Sequence, residues 1–493
     1  MLSNAADRAI PGAVENRTDG ASNVQAVLWM WGIVIVGTVL RLIALGYKSF
    51  WIDEIASVAI ARRAAPVFWH FLWHDEGNMA LYYVLLRPWL HFGYGEAVVR
   101  LLSVLPGVLS MPMMYVLGRR LFGRDTSILA AALLALSPCA IAVSQEARAY
   151  SFVVLGVLVS TYAFVVLIEK PSYKLACVYA VIAGLTCYFH YFGVLVPAAH
   201  AISLLALPRS KCHWKPLLLA AAIIAGMAAP ILWLIHAQDL GHISWVPSPS
   251  LLEFYHLGVF LAAYGGKAVG AILLVLDLAL VGLFFAKFVR AWGDRESGLQ
   301  RWRYALIAST AVSPIVITLL ASIVRPAFYH RFLIICLPGW LLMIAIGAEQ
   351  ISSFSGRSSA IAAVCVLSLA STFVMYKHVT EDWRGAVNYL IANAGANDRV
   401  LYYQSVGEFA GESYRDWLPG GNQSRPTPVG VDPANVVWEN EIDHAQRLWL
   451  VLYRANGNDS GSQAIEQELM KNYLRGGERD FRGVSVIDYT QKP

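Results

Sequence analysis

Charged residues are scarce in this 493-residue chain. Asp, Glu, Lys and Arg together make up 14% of it, against roughly 25% in an ordinary soluble domain. Hydrophobic residues make up 57%, which excludes a soluble core as the main architecture and predicts a protein that crosses a membrane many times. The net charge of +5 is small for this length, and it argues against a nucleic-acid partner.

The sequence also lacks the patterns that cysteine-based sites need. Its six cysteines fall in or beside apolar runs, with neither a CxxC pair nor a Cys/His cluster. We interpret them as small buried hydrophobic residues, so neither a disulfide framework nor a zinc site is indicated. Residues 1–26 are polar and mixed in charge, unlike a signal peptide, and we expect a polar cytoplasmic N-terminus followed by an uncleaved first span.

Apolar runs long enough to cross a bilayer follow one another along the chain, and we predict about eleven spans of roughly 20 residues each. They lie at about 27–46, 96–117, 126–144, 150–168, 174–189, 192–207, 216–236, 268–288, 304–324, 332–350 and 360–376. The stretch 78–93 is shorter and contains Arg87-Pro88. We interpret it as an interfacial or re-entrant helix.

Basic residues are concentrated in alternate loops. The basic loops contain Arg119, Arg120, Arg124, Lys170, Lys174, Arg209, Lys211, Lys215, Lys287, Arg290, Arg295, Arg301, Arg303 and Arg357. Because basic loops stay in the cytoplasm, the remaining loops and everything after about Tyr376 are predicted to face outward. Most of the unusual polar residues between the spans then lie on the outer side of the membrane.

Residues 377–493 have the composition of a soluble domain. Helical spacing predicts helices over 381–395 and 462–477, and apolar runs predict strands over 399–405, 447–455 and 481–489. The predicted fold class is therefore a mostly α polytopic membrane protein, with a transmembrane domain at 27–376 and a small extracytoplasmic α/β domain at 377–493.

Two adjacent acids, Asp53 and Glu54, come directly after the first predicted span, between the apolar residues Trp51, Ile52 and Ile55. A pair of acids in an arbitrary loop is more often a solvated surface. Here, however, the flanking residues keep the pair close to the membrane plane, where carboxylates are costly unless they bind, pair or do chemistry. We therefore predict a functional role for them.

The segment SQEARAYS (Ser144–Ser151) places Glu146, Arg148 and Tyr150 where the third span leaves the membrane. The alternative is an Arg–Glu pair that caps a helix junction. Arg148 is one of the few basic residues on the predicted outer side, and a guanidinium at headgroup depth suits a phosphate, which it can bind with two donors.

The segment VRPAFYHRF (Val324–Phe332) gathers Arg325, His330 and Arg331 in another predicted outer loop. Long basic side chains also serve as anchors at the edge of a membrane, so a binding role and an anchoring role both remain open.

The sequence resembles the GT-C superfamily of membrane glycosyltransferases, and within it the glycosyltransferase family 39 group, which includes protein O-mannosyltransferases and the lipid A aminoarabinose transferase. The resemblance rests on the order of several stretches along residues 27–350. They are the acidic pair after the first span, LYYVLLRPW, EAVVRLLSVLPGVLSMPMMYVLGRRLFG, LLALSPCAIAVSQEARAY and HRFLIICLPGWLLMIAIG. One departure is GNMALYY, where many relatives carry prolines before the LYY stretch.

The resemblance implies a sugar transferred from a polyprenyl phosphate to an acceptor on the outer face of a bacterial inner membrane. It makes Asp53 the catalytic carboxylate, with Glu54 beside it. It implies that Glu146 and Arg148 help to form the donor-phosphate site. We also predict that Arg331 and Arg325 bind the donor phosphate. The supporting residues are Glu146, Tyr150, His330 and Tyr82.

The chemistry is consistent with this assignment. An acceptor hydroxyl needs a base, and the departing phosphate needs its charge held by arginine or by a divalent metal ion. The acceptor, whether a glycan, a lipid or a protein, stays open.

Two other classes of function remain. A transporter or flippase for lipid-linked sugars predicts ionisable residues in the middle of the bilayer and two similar halves, and we find no internal repeat. A non-catalytic subunit of envelope assembly is the other alternative.

Overall fold

The computed structural model describes residues 12–237, 246–265, 267–293, 298–379, 381–421, 423, 425–431, 442, 445–454 and 459–493. These residues form 19 α-helices and one five-stranded sheet. They divide into two compact units. The membrane unit comprises the chain up to Leu42, Val104–Ser144 and Tyr150–Thr372, and the tail unit comprises Ile43–Ser103, Gln145–Ala149 and Phe373–Pro493.

The helices follow one another along the chain with short connections. They are α1 (Gly12–Leu42), α2 (Ile52–Arg62), α3 (Ala65–His74), α4 (Ala80–Trp89), α5 (Glu96–Phe122), α6 (Arg124–Leu136), α7 (Pro138–Ser144), α8 (Tyr150–Glu169), α9 (Tyr173–Phe189), α10 (Leu195–Ser203), α11 (Trp214–Ala237), α12 (Leu251–Ala263), α13 (Lys267–Gly293), α14 (Gly298–Ser322), α15 (Leu337–Glu349), α16 (Phe354–Lys377), α17 (Trp383–Asn393), α18 (Ser405–Trp417) and α19 (Ser460–Asn472). The strands are β1 (Arg399–Tyr403), β2 (Thr427–Val431), β3 (Arg447–Tyr453), β4 (Tyr473–Asp480) and β5 (Val484–Gln491).

Each predicted span coincides with an apolar helix. Among the described residues, eight helices are long and apolar enough to cross a membrane, and the bent pair α6–α7 makes a ninth candidate. The spans predicted at 174–189 and 192–207 fall on shorter apolar segments, Tyr173–Phe189 and Tyr191–Ala206. The stretch predicted not to cross the membrane forms α4, which has ten residues. Which side each loop faces stays a prediction.

The N-terminal segment and one further helix differ from the expected pattern. Helix α1 begins at Gly12, inside the predicted polar segment, whose first eleven residues lie outside the described ones. Helix α12 is an additional apolar helix of 13 residues, and no span was predicted for this part of the chain.

A buried arginine stabilises the bend between α6 and α7, where the helix axis turns by 55°. Pro138 has no N–H group, so the carbonyl of Leu134 loses its normal helical partner. Arg41, with no solvent exposure, donates to the carbonyl oxygens of Leu134 and Ala135 at 3.1 and 3.2 Å. It also donates to Ser144 Oγ at 3.3 Å. Backbone groups inside a membrane need such partners because no water reaches them.

The sheet of the tail unit has the strand order β2-β1-β3-β5-β4. The first three neighbours run parallel, and β5 and β4 are antiparallel to their partners. Leu401 of β1 lies between Val429 and Leu450, and Leu450 pairs with Ile487. These residues are buried, and with Ile465 and Leu469 they belong to the core of the domain.

The predicted elements of the tail are confirmed in part. The helix over 381–395 appears as α17, and the three predicted strands appear as β1, β3 and β5. The helix predicted over 462–477 is wrong after Asn472, because residues from Tyr473 onward form the edge strand β4. Seven of the eight residues of this strand are exposed, so its polar composition has no apolar alternation to mark it. Helix α18 and strand β2 were not predicted.

Candidate active site

Asp53 and Glu54 lie in the first turn of α2. The preceding residue, Trp51, is extended, with φ −92° and ψ 168°, so the helix begins directly at Ile52. Acidic side chains are favourable at this end because they face the partial positive charge of unpaired N–H groups. The inward-facing residues of α2 are Glu54, Ile55, Ser57, Val58, Ile60 and Ala61.

Glu54 is buried and fully engaged within the tail unit. Its side chain is 1% exposed and forms an ion pair with Arg100, Oε2 to Nη2, at 2.6 Å. Its Oε1 accepts from Arg100 Nε at 2.8 Å and from the backbone N–H of Ala147 at 2.7 Å. Its Oε2 also accepts from the N–H of Trp51 at 3.3 Å. Glu54 therefore ties the start of α2 to the start of α5 and to the segment 145–149.

Arg100 uses each of its nitrogen atoms as a donor. Besides the contacts with Glu54, it donates to the carbonyl oxygens of Leu45 and Lys48 at 2.9 and 2.8 Å and to that of Ser49 at 3.0 Å. A guanidinium has five N–H donors, and here five acceptors surround it. The sequence analysis missed this residue. Its signal was an arginine inside an apolar run, which needs a buried partner.

Asp53 has a different environment from its neighbour. Its side chain is 40% exposed, and Oδ2 lies 3.7 Å from Nη2 of Arg148, whose side chain is 13% exposed. Arg148 also donates to the carbonyl oxygen of Asp53 and to Ser57 Oγ, both at 3.4 Å. The structure thus brings together Asp53 and Arg148, and it separates the roles of the two adjacent acids.

Short segments hold Arg148 in this place. The N–H of Arg148 donates to the carbonyl oxygen of Glu146 at 2.8 Å, which closes a tight turn, and Ser103 Oγ donates to the carbonyl oxygen of Arg148 at 3.0 Å. Glu146 is 9% exposed. Ser103 also contacts the hydroxyl of Tyr82 at 3.5 Å. Burial raises the pKa of the Tyr82 phenol above its usual value, so its hydroxyl keeps its proton.

Lys48 is a second residue that the sequence analysis did not single out. Its ammonium donates to the carbonyl oxygen of Met375 at 2.7 Å. Burial, together with the positive charge of Arg100, lowers the pKa of Lys48 to about 8, against the opposing effect of Glu146 and Glu54. A lysine that changes charge near neutral pH therefore lies among the groups that surround the acidic pair.

The other predicted site residues belong to the membrane unit. Arg331 Nη1 donates to the hydroxyl of Tyr264 at 3.4 Å, and its guanidinium carbon lies 5.1 Å from the ring centre of Tyr150. His330 packs with its ring centre 5.3 Å from that of Phe260. Arg325 is half-buried after the end of α14. Arg331, Tyr150 and His330 therefore lie among aromatic rings.

Two further ionisable residues are buried within the apolar helices of the membrane unit. His200 has no exposed surface and contacts Thr161 Oγ1 and the Tyr179 hydroxyl, both at 3.0 Å. Asp277, near the middle of α13, is 3% exposed. Neither residue was singled out by the sequence analysis, and both are ionisable groups of the kind that the transporter alternative predicts.

One part of the chain matches a known protein family. A family described as dolichyl-phosphate-mannose-protein mannosyltransferase matches residues 83–234. No curated protein sequence gives a significant match.

Two solved structures illustrate the shared fold. The chain is similar to ArnT from Cupriavidus metallidurans bound to undecaprenyl phosphate, with 14% identity, coverage of 93% of this chain and 98% of that chain, and a TM-score of 0.60. It is also similar to the archaeal oligosaccharyltransferase AglB from Archaeoglobus fulgidus in complex with an inhibitory peptide and a dolichol-phosphate. There the identity is 12%, the coverage is 81% of this chain and 61% of that chain, and the TM-score is 0.50. The chain therefore shares the fold of these two proteins, and the family match covers its residues 83–234.

Proposed function

We propose that this protein transfers a sugar from a polyprenyl-phosphate-linked donor to a cell-envelope acceptor at the outer face of the cytoplasmic membrane. The observation that carries the proposal is the contrast between two adjacent acids. Glu54 is buried against Arg100, whereas Asp53 stays 40% exposed with Arg148 beside it. An exposed carboxylate on a fixed helix, next to a guanidinium, suits a reaction that needs a base and a phosphate-binding group.

Each residue then has a distinct task. Asp53 accepts the proton of the acceptor hydroxyl as that oxygen attacks the anomeric carbon of the sugar. The bond between this carbon and the phosphate oxygen breaks, and the lipid phosphate leaves with the negative charge. Arg148 stabilises this charge with two parallel donors. Glu54 and Arg100 act by fixing the backbone that carries Asp53, and not as proton acceptors.

Arg331 and Arg325 are proposed to contribute to binding the donor phosphate from the membrane unit. The ring of Tyr150 beside Arg331 supports a fixed orientation of this guanidinium, since cation–π contact restricts its motion. A membrane-embedded lipid phosphate carries its charge at headgroup depth, where such residues are suitable partners.

The sequence also left open a divalent metal ion that holds the charge of the departing phosphate. Within the described ranges, no group of three or more His, Cys, Asp and Glu side chains is placed to hold a metal. Asp53 already has the guanidinium of Arg148 3.7 Å away. No step of the proposed reaction is assigned to a metal ion.

The proposal is tested with purified protein in detergent, incubated with a panel of polyprenyl-phosphate sugars and an envelope extract as the acceptor source. Release of the lipid phosphate and transfer of labelled sugar are measured together. Transfer that requires Asp53 supports the proposal. Movement of the intact lipid-linked sugar across vesicles, without release of the phosphate, would instead favour a flippase.

A further inference from the structure

Glu381 is a buried carboxylate in the tail unit, between α16 and α17. Its side chain has no exposed surface. Its Oε1 accepts from the Tyr453 hydroxyl at 2.9 Å and from Arg454 Nη2 at 2.6 Å. Its Oε2 accepts from Trp383 Nε1 and from the backbone N–H of Ile52, both at 3.0 Å. A buried carboxylate is stable only when donors surround it in this way.

The contact with Ile52 differs from the other three because Ile52 lies outside the C-terminal segment of the chain, 329 residues before Glu381. Ile52 is the first residue of α2, and its N–H is one of the N-terminal groups without a partner inside the helix. Glu381 supplies that partner and places a negative charge at the positive end of α2. Asp53 is the next residue of α2. It therefore stands between Ile52, which Glu381 binds, and Glu54, which Arg100 binds.

Residues of the C-terminal segment 377–493 also bind the residues directly before α2. The hydroxyl of Tyr414 accepts from the N–H of Phe50 at 2.9 Å. Arg384 Nη2 donates to the carbonyl oxygen of Tyr47 at 2.6 Å, and the N–H of Arg384 donates to Ser49 Oγ at 3.2 Å. The residues directly before Asp53 are therefore held in place by side chains that are more than 300 residues away in the sequence.

Glu381 has a partner at the carboxyl end of β3. Strand β1 has β2 on one side and β3 on the other, and in open α/β sheets the crevice beyond the carboxyl ends of such strands commonly receives a ligand. Here the last residue of β3, Tyr453, donates to Glu381, and its ring centre is 5.4 Å from that of Trp383. Glu381 therefore links the start of α2 to the carboxyl end of β3.

We propose that Glu381 is a positioning residue for Asp53. Through its hydrogen bond to Ile52 it fixes the first turn of α2, so the C-terminal domain is required for transfer although it supplies no reacting group. This inference rests on the proposed function only for the role of Asp53; the hydrogen bond and its effect on α2 do not depend on it.

The test compares two variants of the full-length protein that break the same ion pair. Glu381→Gln removes the carboxylate. Arg454→Gln removes its most exposed partner, which is 56% exposed, and leaves the bond to Ile52 in place.

We measure amide hydrogen exchange over residues 53–57, together with kcat and KM for the donor sugar found in the panel. For Glu381→Gln we expect exchange about tenfold faster or more in α2, because a hydrogen bond to a charged group is lost, and a kcat about tenfold lower with KM little changed. Arg454→Gln is expected to behave as the wild type in all three.

A second pair of variants leaves residues 377–493 unchanged. Ile52→Pro removes the N–H that Glu381 binds, together with the isoleucine side chain. Proline is well tolerated at the first position of a helix, and the extended Trp51 before it suits a following proline. Ile52→Ala is its control for the lost side chain. We expect faster exchange and lower kcat for the proline variant relative to the alanine variant.

Two results would overturn the inference. One is unchanged exchange over residues 53–57 in both Glu381→Gln and Ile52→Pro. The other is an equal loss in Glu381→Gln and Arg454→Gln, which would assign the ion pair to folding. If the wild type transfers no sugar, the proposed function fails, while the exchange data still decide whether Glu381 holds α2.

Discussion

Arg100 donates two hydrogen bonds to Glu54, at 2.8 and 2.6 Å, and both side chains are at least 95% buried. The neighbouring carboxylate of Asp53 is 40% exposed. A single step along α2 thus separates an acid that stabilises the structure from one that faces the surroundings.

Asp53→Asn keeps the size of the side chain and removes its charge and nearly all of its basicity. Transfer should fall by about two orders of magnitude or more, while the amount of protein in the membrane stays unchanged. The assay is sugar transfer at matched protein level. Asp416→Asn is the matched control, because Asp416 is 45% exposed and pairs with Arg425 at 3.1 Å in the tail. Wild-type transfer by Asp53→Asn would refute its role as a base.

Glu54→Gln should act mainly on stability. It leaves the buried guanidinium of Arg100 without its counter-charge, which costs roughly 3–5 kcal/mol when one partner of a buried pair is removed. The measurement is thermal unfolding in detergent, and the remaining folded protein should lose less transfer activity than Asp53→Asn. In a double-mutant cycle with Arg100→Met, the combined loss should be clearly smaller than the sum of the single losses. Additive losses would show that the two groups act independently.

Arg148→Lys should weaken use of the donor, since a single ammonium cannot reproduce two parallel contacts with a phosphate. We expect KM for the lipid-linked donor to rise about tenfold, and Arg331→Lys should have an effect in the same direction. Arg425→Lys, which alters an arginine on the exposed surface of the tail, serves as the control. Undiminished apparent affinity in both of the first two variants would assign Arg148 and Arg331 to anchoring.

Lys48 predicts a dependence of stability on pH. Its pKa is about 8 in the folded protein, against 10.5 for the unfolded chain, so between these values the unfolded state binds more protons. Stability contributed by this group should therefore rise as the pH increases from about 8 to about 10.5 and stay constant below about 8. The Lys48→Met variant should lack this rise, so the difference between the two melting curves should change with pH above about 8. The melting temperature of both proteins is measured from pH 7 to pH 10, and parallel curves would contradict the prediction.

The spans were predictable because length and hydropathy alone mark them. The apolar strands of the tail were predictable for a similar reason, since RVLYY and RLWLVLY bury nearly all their residues. Strand β2, with the sequence TPVGV, contains a proline and a glycine, which are typical of a turn. Helix α18 carries Glu408, Glu412 and Asp416 among its apolar residues, and its packing against β1 and β2 was not apparent from local sequence.

The candidate site was predictable only in outline. The position of the acidic pair and of Arg148 followed from their place beside apolar runs. The division of roles between Asp53 and Glu54 did not, because it depends on Arg100, which lies 46 residues away from Glu54. Glu381 carried no local signal at all, since its significance comes from a donor 329 residues earlier in the chain. Contacts of this range are set by tertiary structure and have no pattern in a sequence window.

Arg41 is synthesised long before its partners in α6 and α7. The carbonyl oxygens that it binds belong to residues 93 and 94 positions later, which corresponds to roughly 5–20 s of synthesis at 5–20 residues per second. Arg41 lies in the last turn of α1, where a long basic side chain can reach the lipid–water boundary. The bend of α6–α7 therefore gains the arginine that stabilises it only after the third predicted span has been made.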